Sequence, residues 1–162
     1  MTKAGLPADI PAGTPAAVDK ESQRLFVYGS LMEGFFNYKK SLDGKVISRI
    51  PGSVQGLLYH QSNKGYPALV SGEGRVRGEF LELKDFRDII LLCDRIEGYI
   101  GPGQSGNEYE RRISAVSLDD GSQRSAWIYW YARADLGSPG NPVVPVPSGD
   151  WRSYMYKLQS AG

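Results

Sequence analysis

The sequence predicts an α+β domain built on a mixed, barrel-like sheet, and three observations carry that reading. Short β-prone runs are separated by turns bearing glycine and proline, one stretch alone has a clear helical period, and no segment repeats. The chain has 162 residues, the length of one domain, which can bury roughly 68–70% of its unfolded surface without staples.

Residues 1–22 carry three prolines and two glycines without periodicity and read as a disordered lead-in. Residues 23–162 then form the single domain, with order beginning at Arg24. Leu25-Phe26-Val27-Tyr28 is an apolar, β-prone run ended by Gly29-Ser30, which predicts a buried strand and a tight turn. Gly34 to Leu42 is aromatic and basic and reads as a short helix. Val54 to Tyr59 and Ala68 to Val70 read as strands, with Tyr66-Pro67 as a turn. Arg75 to Leu83 alternates, Val76, Gly78 and Phe80 opposing Arg77 and Glu79, as a strand does. Lys84 to Ile96 is the clear helix: Phe86, Ile89, Ile90, Cys93 and Ile96 recur at three- and four-residue spacing, and Gly98 stops it. Ile100 to Asn107 is a Gly-rich loop. Tyr109 to Leu118 and Arg124 to Ala132 read as a hairpin joined by Asp119-Asp120-Gly121. Asp135 to Gly149, with four prolines and three glycines, reads as an irregular connection, and Trp151 to Leu158 as a final short helix.

Composition excludes several function classes. Nineteen basic and 18 acidic side chains give a net charge of +1, with no basic excess for nucleic acid and no electrostatic pull toward a membrane. No apolar run approaches the ~20 residues of a membrane helix, and Met1 to Val18 has no apolar core of a signal peptide. One cysteine makes no internal disulfide. The expectation is a soluble cytoplasmic protein. One histidine and one cysteine present no visible metal-ligand constellation.

Glu97 is the residue out of place. At 100° per residue it falls about 20° from Phe86, on the apolar face of its helix. Lys84, Arg87, Asp88, Asp94 and Arg95 point elsewhere. An unpaired carboxylate out of water costs several kcal/mol, so such a group has a partner or a task. The helix C-terminus and burial both raise a carboxylate pKa, as a general acid–base requires. Two structural alternatives stand beside this: Glu97 turned to solvent next to Gly98, or paired with Arg111 or Arg112. The second signal is Tyr28-Gly29-Ser30-Leu31. A glycine at a strand end lets backbone N–H groups approach a ligand, and successive N–H groups form an anion-binding nest. Ser30 as a nucleophile would need a base, and nothing ties His60 to it. Cys93, on the apolar helix face, reads as core.

These residues, taken in order, resemble a known family. Phe26-Val27-Tyr28-Gly29-Ser30-Leu31 is followed by Gly56-Leu57-Leu58-Tyr59, Tyr66-Pro67-Ala68-Leu69-Val70 and Val76-Arg77-Gly78-Glu79. Asp94-Arg95-Ile96-Glu97-Gly98-Tyr99, Tyr109-Glu110-Arg111 and Ala126-Trp127-Ile128-Tyr129 complete the set. The ordered set, from about Arg24 to Tyr131, is similar to the γ-glutamylcyclotransferase-like superfamily, on the branch of AIG2-like and γ-glutamylamine cyclotransferase proteins. The resemblance implies a compact mixed β-barrel with flanking helices and a cavity at one end. It implies release of 5-oxoproline from a γ-glutamyl compound, without metal or cofactor. By position, Tyr28, Gly29, Ser30 and Leu31 would bind the γ-glutamyl part, Glu97 would be the catalytic carboxylate, and Tyr109 and Tyr129 would face the cavity. The long Gly-rich stretch between Gly98 and Tyr109 departs from the pattern and leaves the leaving amine open. Two other classes compete: a binding module for a small carboxylate or ammonium metabolite, in which Glu97 recognises an ammonium, and a hydrolase using Ser30.

Overall fold

The structure is a computed structural model in which residues 23–161 are described; the expected lead-in, residues 1–22, lies outside them. The elements follow as β1 (Arg24–Val27), α1 (Phe36–Ser41), β2 (Val46–Gln61), β3 (Tyr66–Leu83), α2 (Phe86–Glu97), β4 (Tyr109–Leu118), β5 (Gln123–Tyr131), β6 (Val143–Pro145) and α3 (Trp151–Ala161). Strands β3, β1, β5, β4 and β2 are hydrogen-bonded in that order, and β2 pairs again with β3. The result is a closed five-stranded mixed barrel with three flanking helices, and β6 extends the far end of β2.

The short strand β1 explains the lack of alternation in its sequence. It runs antiparallel to β3, with Phe26 opposite Phe80, and parallel to β5 at Leu25 and Trp127. Every residue of β1 is buried, as a strand with covered faces on both sides requires. Strands β4 and β5 form the expected hairpin, with Tyr109 opposite Tyr131 and Ser117 opposite Gln123. Helix α2 lays Ile89, Ile90 and Cys93 into the core that also holds Leu25, Phe26, Leu81 and Ile128. Each such fully buried aliphatic or aromatic side chain contributes about 1.5–3 kcal/mol.

Three readings need correction. Tyr66-Pro67 is not a turn: Tyr66 pairs with Gln61 and Pro67 with His60, as the first residues of β3. The turn lies just before, ending at Gly65 with φ 82. Proline is tolerated because this end of β3 pairs only with β2, while β1 pairs at residues 79–82. The runs Ala68–Val70 and Arg75–Leu83 are one strand. The pairing steps from Leu57↔Val70 to Gln55↔Arg75, so Ser71 to Gly74 form a bulge within the strand rather than a break. Finally, the connection from Asp135 to Gly149 contains β6, paired with Tyr59 to Gln61. Among the described residues no helix is long and apolar enough to cross a membrane.

Candidate active site

One end of the barrel is hollow. The carboxyl end of β1, the first residues of β3 and β4, the last residues of β5 and the last turn of α2 converge on a cavity of about 70 Å³. That is space for a few waters or a small polar head group. Every residue singled out from the sequence lines it: Glu97, the run Tyr28-Gly29-Ser30-Leu31, Tyr109 and Tyr129. Tyr66, Pro67, Asn37 and Glu108 line it as well. Of these, Tyr66 and Pro67 stood in the recognised motifs, read as a turn. Asn37 and Glu108 sit in segments without a usable period.

Glu97 reaches the cavity because α2 ends on it. Gly98 takes the left-handed conformation, φ 68, and its N–H and that of Tyr99 cap the carbonyls of Arg95 and Asp94. The chain therefore turns away at once and leaves the Glu97 side chain on the apolar face. Its pKa rises from 4.5 to about 8, first because burial disfavours the charged form, then because Glu108 and Asp94 add negative potential. The alternative of an ion pair with Arg111 does not hold. Arg111 Nε and Nη2 donate to the two oxygens of Asp94 at 2.7 and 3.0 Å, and among the described residues no cation pairs with Glu97. Asp94, which the helical period places off the apolar face, is nonetheless only 7% exposed.

The tyrosines are structural donors. Tyr28 gives its hydroxyl hydrogen to the carbonyl of Tyr129 at 2.6 Å. Tyr109 donates to the carbonyl of Pro67 at 2.5 Å, and Tyr129 to Asp94 Oδ1 at 2.7 Å. Burial raises all three pKa values well above the ordinary tyrosine value, so the hydroxyls stay protonated. The turn after β1 is closed by the N–H of Met32 on the carbonyl of Gly29, 3.0 Å. Asn37 fixes Ser30 through its backbone N–H to the Ser30 carbonyl and its amide Nδ2 to Oγ, 3.0 and 2.7 Å. Among the described residues, no backbone carbonyl accepts the N–H groups of Gly29, Ser30 or Leu31.

Gly29 is demanded by close approach. A Cβ there would stand 2.5 Å from Pro67 Cγ, and Pro67 is itself cavity wall. Gly29→Ala is therefore expected to cost about 1–3 kcal/mol by overpacking, read by urea unfolding. An unchanged midpoint would mean that Pro67 gives way freely.

Neither other nucleophile is equipped. His60 Nδ1 lies 2.7 Å from the Tyr154 hydroxyl and its ring packs edge-on to Trp151, so it serves α3 and not Ser30. Cys93 is fully buried and its thiol is pushed up to about 12, chiefly by that burial. Among the described residues no group of His, Cys, Asp and Glu is disposed to hold a metal ion.

The model of the family described as gamma-glutamyl cyclotransferase, AIG2-like matches residues 25–153. The gamma-L-glutamyl-butirosin B gamma-glutamyl cyclotransferase of Niallia circulans is 33% identical over 85% of this chain and 79% of its own length. Among solved structures, YkqA from Bacillus subtilis superposes with a TM-score of 0.60 at 22% identity, over 85% of this chain and 42% of that one. An AIG2-like protein from Mus musculus has a TM-score of 0.52 at 22% identity, over 72% of this chain and 80% of that one. At these identities the structures speak for the fold, while the family model and the Niallia relative speak for descent. The chain belongs to the gamma-glutamyl cyclotransferase, AIG2-like family.

Proposed function

We propose that this chain releases 5-oxoproline and a free amine from a γ-glutamyl compound, with Glu97 as general acid–base. The observation that carries this reading is a carboxyl with a pKa of about 8, facing a small cavity in which the other proton carriers are committed. The three buried tyrosine hydroxyls donate to fixed acceptors, and Glu108 is held by Lys64 and Tyr66.

The substrate brings its own nucleophile. Its α-ammonium is the acid of the first step, and a carboxyl raised to about 8 is a far better acceptor for that proton than one at the ordinary carboxylate value. The freed amine attacks the γ-carbonyl, a C–N bond forms, and the carbonyl electrons move onto oxygen. The N–H groups of Gly29, Ser30 and Leu31 suit that oxyanion or the substrate α-carboxylate. Glu97 then returns the proton to the departing nitrogen, the original amide C–N bond breaks, and the five-membered lactam is complete. Intramolecular attack supplies a large effective molarity, so the protein's task is orientation and one proton relay.

Incubation with a panel of γ-glutamyl amino acids and γ-glutamyl amines, assayed for 5-oxoproline, tests the reading. Release by wild type and not by Glu97→Gln supports it. Ligand binding without any product from a folded protein points instead to a binding module.

The pH profile is a second expected result. Below its pKa Glu97 is protonated and accepts nothing, so kcat/KM rises with pH toward about 8. At higher pH the substrate amine loses the proton that the leaving group needs, which gives a basic limb. The profile should be a bell with its acidic limb near 8, measured with the best panel substrate. An acidic limb at the ordinary carboxylate value of 4.5 would contradict the role given to burial.

A further inference from the structure

Glu108 lines the same cavity as Glu97, yet the reaction above gives it no task. The way the chain holds it is specific. Its backbone N–H donates to the carbonyl of Gly98 at 3.0 Å, closing the Gly-rich loop. The buried Asn107 side chain staples that loop from inside, accepting from the N–H of Ile100 at 2.7 Å and donating to the carbonyl of Gly101 at 2.8 Å. A Cβ at Gly98 would stand 3.2 Å from Glu108 Cβ. The glycine that ends α2 thus also makes room for Glu108 against the backbone that follows Glu97. The carboxylate itself is pinned: Oε2 accepts from the Tyr66 hydroxyl at 2.6 Å and from Lys64 Nζ at 3.0 Å.

We propose that Glu108 is a positioning residue for the reaction, a pinned negative charge on the wall of the cavity it shares with Glu97 that acts on Glu97 across that cavity and favours entry of a cationic head group. The catalytic half of this rests on the cyclotransferase reading; the electrostatic half does not. Two carboxylates face Glu97, and each has a cationic partner: Lys64 for Glu108 and Arg111 for Asp94, which lies on the same helix as Glu97. Tyr28, Tyr66 and Tyr109 are held neutral by burial, and so is Cys93. Behind burial itself, Glu108 is the largest contributor to the raised Glu97 pKa. Lys64 Nζ, which also meets the Tyr131 hydroxyl at 3.3 Å, offsets part of this charge. An ammonium entering such a cavity meets a negative wall, and Glu97, once ionised, accepts from it the proton that the mechanism moves.

The test is a carbon NMR titration of the full, ligand-free chain carrying glutamate labelled at the carboxyl carbon, with Glu97→Gln to assign the Glu97 signal. Glu108→Gln keeps an acceptor for Tyr66 and removes the charge. The Glu97 midpoint is expected to fall by about one pKa unit, a tenfold change in its protonated-to-ionised ratio. Glu108→Asp, which keeps the charge, should leave the midpoint raised. An unchanged midpoint in folded Glu108→Gln would overturn the proposal. Because no substrate is present, the result stands whether or not 5-oxoproline is released. In an active enzyme, the acidic limb of kcat/KM should move down by the same amount.

Discussion

Glu97→Gln is expected to fold, to gain stability at alkaline pH and to lose roughly 10²–10⁴-fold in turnover, the usual worth of a positioned acid–base. The two effects have one cause. Glutamine fills the same space but neither accepts the α-ammonium proton nor returns one. It also carries no charge into an apolar site. The carboxyl has a folded pKa of about 8 against an ordinary 4.5, so between those values the native state binds a proton that the unfolded chain has released. Stability then falls as pH rises through that window. Each pKa unit is worth 1.36 kcal/mol, so the whole shift corresponds to a few kcal/mol, lessened by water at the cavity mouth. Wild type and variant should match in stability below the ordinary carboxylate pKa, and the variant should lead above pH 8. Urea unfolding at both ends of the window, beside the 5-oxoproline assay, reads both effects. A well-folded variant with near-wild-type turnover would remove Glu97 from the mechanism.

That one residue could be found in the sequence because a helix repeats its face. Phe86, Ile89, Ile90 and Cys93 define the buried stripe, and Glu97 falls on it whatever the rest of the chain does. The β4–β5 hairpin and the burial of β1 were legible for the same reason: local period and turn chemistry fix them. What was not legible depends on partners distant in sequence. Asp94 lies off the stripe, and its buried partners are distant in sequence, Arg111 on β4 and Tyr129 on β5. Pro67 looked like a turn signal, and its place in a strand follows from pairing with His60 and packing on Gly29. Glu108 sits at the end of a Gly-rich loop with no period. Its approach to Glu97 depends on the Asn107 staple and the Gly98 carbonyl, contacts that composition does not announce. Local rules placed Glu97 on the buried face of its helix, while long-range hydrogen bonds set its surroundings.

The Asp94–Arg111 pair should be the most sensitive point of the framework behind the cavity. The Asp94 and Arg111 side chains are 10% and 15% exposed. Arg111 also stacks over Trp127, 4.4 Å from the ring centre, and faces Tyr99 at 5.2 Å. Arg111→Met keeps much of the apolar stem and removes the charge. Asp94 would then be a buried carboxylate with only the Tyr129 hydroxyl for a partner. Breaking one side of such a pair typically costs about 3–5 kcal/mol, because the remaining charge is uncompensated, whereas replacing both sides by apolar groups can be near neutral. The expected order of stability by urea unfolding is therefore wild type, then the double variant Asp94→Leu with Arg111→Met, then Arg111→Met alone. The double variant should still lose turnover, since the Tyr129 hydroxyl has lost its acceptor and the Tyr129 carbonyl is what positions Tyr28. If Arg111→Met alone cost less than about 1 kcal/mol, the pair would be behaving as a solvated surface bridge, and the wall that holds Tyr129 in the cavity would owe its rigidity to packing alone.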